Sequence, residues 1–377
     1  MVRSPYFDDT HRLLRETLRR FVDKEVVPQA AAWEDQGFVP RQVLREMGRY
    51  GFLGLRYPEK YNGGAMNALA TALLAEELGR SGFGGFAATV LVHTDMASPH
   101  LMNAGSPAQL ERWMPGIVAG DLITAVAVTE PDAGSDVKSI RTSARRAGGA
   151  WLLRGTKMFI TNGALADLVF VAAKTDPAAG SRGISMFAVQ KGAPGFSVGR
   201  KLDKMGWRCS DTAELVFEDT PGELLGEDGR GFYAITRNFQ NERIALAAMA
   251  MGESQRALEL TLEYVKTRKA FGAPLWDKQA VRQRLAMLAA RVEAGRELVL
   301  RAAWLDAQGA DCVKEVSMAK AYCGELTNQV MYECLQFHGG FGYIRESAIE
   351  RMYRDARVQS IGGGATEVML EEVAKRL

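Results

Sequence analysis

The chain has 377 residues, with 47 Lys+Arg against 45 Asp+Glu, a formal charge of +2, and 47% hydrophobic and 24% charged residues. That is a globular composition long enough for about two or three domains, and a near-neutral balance without a clustered basic run argues against a nucleic-acid or anionic-membrane footprint. The longest apolar stretch, residues 244–251, falls far short of the roughly 20 residues that cross a bilayer, so no membrane span is expected.

The first nine residues have no apolar signal core and are too acidic for a transit peptide, so the segment reads as the start of a cytoplasmic protein. From Asp9 onward, Leu14, Leu18, Phe21 and Val22 share one helical face, with Arg15, Glu16, Arg19 and Arg20 around the rest. Similar runs at 43–47 and 68–78 flank a turn-rich stretch at 57–64. Residues 1–120 therefore read as an all-helical N-terminal domain. Near Asp121 the texture changes to short Val-, Ile- and Phe-rich runs at 123–128, 151–160, 168–173, 184–189 and 213–217, separated by Gly, Pro and Asp. In the last run Ala213, Leu215 and Phe217 alternate with Thr212, Glu214 and Glu218, as in a sheet with one buried face. Residues 121–228 read as a middle antiparallel β-domain. Past Gly231 the helical period returns, with Leu258, Leu262 and Val265 on one helix and Val281, Leu285, Leu288 and Val292 on another. Residues 229–377 read as a C-terminal helical bundle, apolar enough on several sides to suit oligomerisation. The fold class is α+β and multidomain, and helix, sheet, helix is not the alternation that builds a dinucleotide-binding sheet. Loose GxGxxA matches at Gly82 and Gly229 lack a preceding strand and read as turns.

Cys209, Cys312, Cys323 and Cys334 form no CxxC pair and read as buried free thiols. The four histidines, His11, His93, His100 and His338, have no metal-ligand spacing, and no metal is expected. The sequence contains no GxSxG, Walker or HExxH motif, which removes the commonest hydrolase, nucleotidase and metalloprotease chemistries. Two segments remain. One runs Ala127-Val128-Thr129-Glu130-Pro131-Asp132-Ala133-Gly134-Ser135-Asp136, a strand end entering a loop of small, hydroxyl and carboxylate residues. The other runs Gln336-Phe337-His338-Gly339-Gly340-Phe341-Gly342-Tyr343, where glycines interrupt a helical region and permit close backbone approach. Alone, the first is equally a capped turn and the second a helix-to-helix turn.

Both segments resemble the signature stretches of the acyl-CoA dehydrogenase family, the second with Glu346, Arg351 and Asp355 in matching register. Further matches are residues 158–163, 205–212 and 268–272 with Gln279, so the resemblance covers essentially the whole chain. It implies FAD bound between the β-domain and the C-terminal helices, in an assembly of at least two and most often four subunits. It also implies an acyl-CoA substrate and an electron-transfer flavoprotein as electron acceptor. By position, Val128, Thr129, Ser135, Phe159 and Thr161 would meet the flavin, with Phe159 in place of the Trp of some relatives. Arg268, Phe271 and Gln279 would hold the adenosine diphosphate portion together with Gln336, Gly339 and Gly340 from a partner chain, and Thr366 and Glu367 would lie near the cofactor. Ser135, Gln240, Arg243, Gly363 and Gly364 would face the thioester ligand.

The family reaction needs a carboxylate to take a proton from the carbon alpha to the thioester. Many relatives carry that Glu where this sequence has Gly363, so the base must come from elsewhere. The long-chain and isovaleryl branches place their Glu just before an Arg on another helix, and Glu242-Arg243 stands at that place. Glu242 is therefore the expected base; Glu130 and Glu367 are set aside as flavin-loop and cofactor-side residues. Gly362 replaces a Tyr of medium-chain relatives, which favours a longer or branched acyl chain. Two alternatives are an oxidase or monooxygenase of the same fold and a binding protein that has lost catalysis.

Overall fold

The computed structural model describes residues 4–377; Met1, Val2 and Arg3 of the N-terminal reading lie outside them. Helix α1 (Asp9–Phe21) begins where the Asp8 carboxylate accepts the His11 N–H at 2.9 Å. Its expected inner face is the observed one, with Leu18, Phe21 and Val22 buried and Leu14 packed against them. A π-helical segment, Val22–Val26, leads into α2 (Val27–Gln36), followed by α3 (Arg41–Arg49), α4 (Ala68–Gly79) and α5 (Gly84–Leu91). A second π-helical segment, Val92–Ala97, continues into α6 (Ser98–Ala104), and α7 (Pro107–Val118) starts on a capping box between Ser106 and Gln109. Helices α4 and α5 are buried along their whole length, so the amphipathic run expected at 68–78 has no solvent face: its charged Glu76 and Glu77 are buried against Arg15 and Arg19.

Seven strands follow: β1 (Thr124–Ala127), β2 (Ser143–Ala147), β3 (Ala150–Thr161), β4 (Leu168–Lys174), β5 (Ile184–Gln190), β6 (Phe196–Lys201) and β7 (Thr212–Leu225). Pairings β4–β5, β5–β7, β7–β3, β3–β2 and β2–β4 close the sheet on itself around Leu153, Val169, Val171, Phe187, Leu215 and Phe217. The expected antiparallel character holds for most pairs, but β1 runs parallel to β4 and β2 touches β4 in parallel at Ser143 and Lys174. The β2–β3 hairpin lies between β1 and β4 in the chain and supplies the crossover length that a parallel pair requires. Strands β2 and β6 carry no apolar run and were not legible. Strand β7 continues through Pro221-Gly222, residues that read as a stop, because Pro221 pairs with Leu152 beyond a register shift. Thr212, expected on the outer face, is buried and takes a hydrogen bond from Lys204 at 2.9 Å.

The third part is α8 (Gly231–Thr267), a short hairpin of β8 (Lys269–Ala270) and β9 (Ala273–Pro274), then α9 (Gln279–Ala307), α10 (Val313–His338), α11 (Ala348–Ala356) and α12 (Thr366–Ala374). Helix α8 crosses α4 at glycines on both sides. A Cβ at Gly79 would overlap the Met249 carbonyl, and one at Gly252 the Glu76 carbonyl. Gly252→Ala is therefore expected to force the helices apart and cost about 1–3 kcal/mol, read as a lower midpoint in urea unfolding; an unchanged midpoint would show that the crossing has slack. All four cysteines are buried and unpaired.

Candidate active site

The N-terminal half of α8 is held by the π-helical segment Val92–Ala97. A π-turn leaves backbone carbonyls without their usual partners, and two asparagines one turn apart on α8 supply them. Asn238 Nδ2 donates to the carbonyls of Asp95 and Met96, both at 3.1 Å, and Asn241 Nδ2 to the Asp95 carbonyl at 2.8 Å. Arg56 donates to Asn241 Oδ1 and pairs with Asp306 at 3.2 Å. Along this flank lies a cavity of about 450 Å³ lined by Arg56, Asp95, Arg237, Gln240, Asn241 and Asp306 among others. Gln240 faces it and accepts a weak hydrogen bond from Cys312 Sγ at 3.5 Å. Glu242, two residues on and so about 200° further round the helix, is not part of that lining.

Glu242 instead meets the glycine loop that enters α12. Gly363 has φ +61° and Gly364 φ +100°, left-handed conformations that a side chain would strain. A Cβ placed on Gly363 would overlap Leu246 Cδ1 and lie 3.3 Å from Glu242 Oε1. The carboxylate on α8 thus occupies the neighbourhood from which a residue at 363 would have projected. Arg243 Nε lies 3.6 Å from the Cβ position of Gly364, and its guanidinium covers the Phe239 ring at 5.0 Å. At Gly362 a Cβ would meet only Val358, at 3.6 Å, so that position is open. Glu242 is neither fully buried nor exposed. Burial pushes its carboxyl above the usual carboxylate range, opposed by Arg243 and Lys320. Four expected residues, Glu242, Arg243, Gly363 and Gly364, therefore come together.

A second group gathers where β1 ends. Lys157 on β3, completely buried, donates to the Val128 carbonyl at 2.9 Å and to Glu130 Oε1 at 2.8 Å. Glu130 also accepts the backbone N–H groups of Arg141 and Thr142, at 2.5 and 2.9 Å. Burial raises its carboxyl, but Lys157 and the N–H donors outweigh that and hold it below the ordinary range. Burial lowers the Lys157 ammonium to about 8 against the pull of Glu130. Glu130 is fully engaged, which agrees with leaving it out of the chemistry. The Thr129 carbonyl accepts the Met158 N–H at 2.9 Å, setting Val128 and Thr129 beside Phe159 and Thr161. Phe159 is 66% exposed at φ +61°, a costly placement for a large aromatic on a strand. Ser135 is exposed in the loop that follows.

The third group lies at the far end of α8. Arg268, Phe271, Gln279, Gln336, Gly339 and Gly340 are all exposed, Phe271 at 95%. Tyr264, whose carbonyl accepts the Arg268 N–H at 2.8 Å, stacks on His338 with ring centroids 4.4 Å apart and donates to the His338 carbonyl at 3.2 Å. The Arg268 and Gln336 segments are thus neighbours within one chain. A Cβ at Gly339 or Gly340 would meet nothing within 4 Å; both face open space with bare backbone, as a pyrophosphate seat needs. Thr366 donates to Glu325 Oε1 at 2.8 Å, and Glu367 is exposed in the first turn of α12.

Family models for the N-terminal, middle and C-terminal domains of acyl-CoA dehydrogenase match residues 8–121, 125–220 and 229–377. The chain belongs to the acyl-CoA dehydrogenase family. It is 42% identical over 376 residues to the long-chain specific acyl-CoA dehydrogenase of Mus musculus, covering 98% of this chain and 87% of the relative. It superposes on the crystal structure of acyl-CoA dehydrogenase from Geobacillus kaustophilus with a TM-score of 0.96 at 39% identity, covering 99% of each chain. The FAD complex of PigA is also similar, at TM-score 0.95 and 29% identity, covering 100% of this chain and 99% of that one. The protein is accordingly an oxidoreductase of the acyl-CoA dehydrogenase kind with FAD as cofactor. Its own residues fit that group: an exposed aromatic held at positive φ, and open glycine backbone beside an arginine. Among the described residues no cluster suits a metal ion and no helix is long and apolar enough to cross a membrane.

Reading the sequence missed four acyl-CoA dehydrogenase residues that shape the site. Asn238 and Asn241 could have been found from their one-turn spacing just before Glu242. Lys320 shares a helical face with Val316, Cys323 and Thr327, all buried, and a lysine in core register is itself a signal. Lys157 gave none, because its strand carries polar residues on both sides.

Proposed function

We propose that Glu242 is the base that removes the alpha proton of a long-chain or branched acyl-CoA, giving the trans-2-enoyl-CoA. The observation that carries this is the 3.3 Å between Glu242 Oε1 and the Cβ position of Gly363, which puts the carboxylate next to the position it substitutes for. The thioester carbonyl lies against the Gly363 N–H, which stabilises the negative charge that develops on oxygen as the proton leaves. Glu242 receives that proton on its carboxylate. Raised above its usual value by burial, it holds the proton more firmly than an exposed Glu would. When bound, FAD supplies the acceptor for the hydride that leaves the beta carbon. Phe159 and Thr161 would face the flavin from β3, with Val128, Thr129 and Ser135 beside it. Arg268, Phe271, Gln279, Gln336, Gly339 and Gly340 would hold the diphosphate end, and Thr366 and Glu367, beside the glycine loop, would lie near the cofactor. Gln240 approaches the ligand from the flank of the polar cavity.

The open position at Gly362 and the likeness to a long-chain relative support the substrate class. The same reading divides the chain at 120/121 and 228/229, passes electrons to an electron-transfer flavoprotein, places the protein in the cytoplasm and makes it a tetramer. Exposed Met287, Trp304, Met318, Tyr322 and Tyr332 on α9 and α10 offer apolar surface for that assembly.

The test is anaerobic bleaching of the flavin by butyryl-, isovaleryl-, octanoyl-, palmitoyl- and 2-methyl-branched acyl-CoA. Palmitoyl or a branched thioester is expected to react fastest; fastest bleaching by butyryl-CoA would refute the open-pocket argument. The pH dependence carries a sign. The base works only when deprotonated and its pKa is raised, so the bleaching rate is expected to fall with pH while still above the ordinary Glu value of about 4.3. A rate flat down to that value would exclude a buried carboxylate base.

A further inference from the structure

Helix α10 forms the seat of the glycine loop. Gly324 lets the loop backbone lie against the helix, since a Cβ there would come within 2.7 Å of the Gln359 carbonyl. One turn earlier, Lys320 is 2% exposed and donates to the Gln359 carbonyl at 2.8 Å and the Gly364 carbonyl at 2.6 Å. Those two acceptors bracket Gly362 and Gly363. Glu325 takes the Thr366 hydroxyl where the loop enters α12. A buried ammonium held mainly by neutral carbonyls is a costly way to pin a loop, and an apolar side chain of similar length would avoid the desolvation.

We propose that Lys320 is a positioning residue of the reaction: tied to both ends of the loop, its ammonium fixes the direction of the Gly363 N–H and sets a cation toward Glu242. The inference rests on Glu242 being the base. The charged groups that act on Glu242 are Arg243 on its own helix and Lys320 from α10, and those acting on Lys320 are Glu242, Arg243 and Glu325. Burial lowers the Lys320 ammonium to about 8 while Glu242 holds it up, so it is mostly protonated at neutral pH. Its charge favours the deprotonated, working form of Glu242, and its two hydrogen bonds keep the oxyanion donor aimed as charge moves onto the substrate.

The experiment compares wild type, Lys320→Met and Lys320→Arg as full-length FAD-loaded proteins, using palmitoyl-CoA for flavin reduction and calorimetry for binding of the enoyl-CoA product. In Lys320→Met, reduction is expected to slow by about 100-fold, as for a small misplacement of a reacting group. Its pH midpoint should rise by about one unit on loss of a neighbouring opposite charge, with product affinity nearly unchanged. Lys320→Arg keeps the charge but not the paired geometry, so it should recover the midpoint and only part of the rate. A wild-type rate and midpoint in Lys320→Met would overturn the proposal, as would a loss that tracks lost FAD with no change in midpoint. Should Lys320→Met fail to fold, Lys320→Arg decides alone: a slowed reaction at the wild-type midpoint supports the role, and a wild-type rate removes it. Glu242→Gln measured alongside separates the two ideas, because undiminished reduction in that variant overturns the base and leaves the Lys320 rate effect to be judged on its own.

Discussion

Glu242→Gln is expected to slow flavin reduction by saturating acyl-CoA about 10⁴-fold, the upper end of what a positioned general base contributes. The substitution keeps the shape of the side chain and breaks no described hydrogen bond of Glu242, so the melting temperature and FAD content should stay close to wild type. That combination distinguishes a lost base from a damaged fold. Bleaching at the wild-type rate would move the base elsewhere, and Glu130 is a poor heir because Lys157 and two backbone N–H groups already engage it. Nor is the base easily moved back to position 363 by Gly363→Glu, because Leu246 Cδ1 stands where the new Cβ would go and the backbone there is left-handed. If the purified protein binds FAD and no acyl-CoA bleaches even the wild type, the reading as a binding protein without catalysis takes its place.

The second large effect is on stability. Lys157→Met is expected to cost about 3–5 kcal/mol, the usual consequence of removing one member of a buried ion pair and leaving the other uncompensated. Glu130 would keep its two backbone donors and lose its cation, while the Val128 carbonyl would lose its donor. Urea unfolding should show the loss directly, and the purified variant should carry less FAD because Val128 and Thr129 are no longer held in place. Adding Glu130→Gln should return part of the stability, since the stranded charge is then gone. A full loss in the double variant would mean that the Val128 contact, not the ion pair, is what matters.

The helix, sheet, helix order and the inner faces of α1, α8 and α9 were legible because each face buries residues at the helical period. The strands that were not, β2 and β6, are polar ribbons held by neighbouring strands, and the second half of β7 runs through a Pro-Gly pair that locally says stop. Neither parallel pairing can be read from side-chain alternation, which has the same period in both kinds of sheet. At the site, the family motifs pointed to Glu242, Gly363 and the flavin loop, and the structure brings the first two together. What the motifs could not convey is what holds these residues: the asparagines that fill the π-turn, the buried lysines under each loop, and the glycines at the helix crossing. Those are long-range contacts whose partners lie tens to hundreds of residues away, as Arg56 and Asn241 illustrate.

Helix α8 links several parts of the site. It starts against β5, carries Glu242 on its fourth turn, crosses α4 at Gly252 and ends at Tyr264 and Arg268, beside the glycines that follow α10. From Glu242 to Arg268 is 26 residues, which at 1.5 Å per residue is about 39 Å. On the proposed reading the helix is a ruler, with the Glu242 carboxylate near one end and the Arg268 cluster at the other. Any sliding or tilt of the rod would have to displace both marks together.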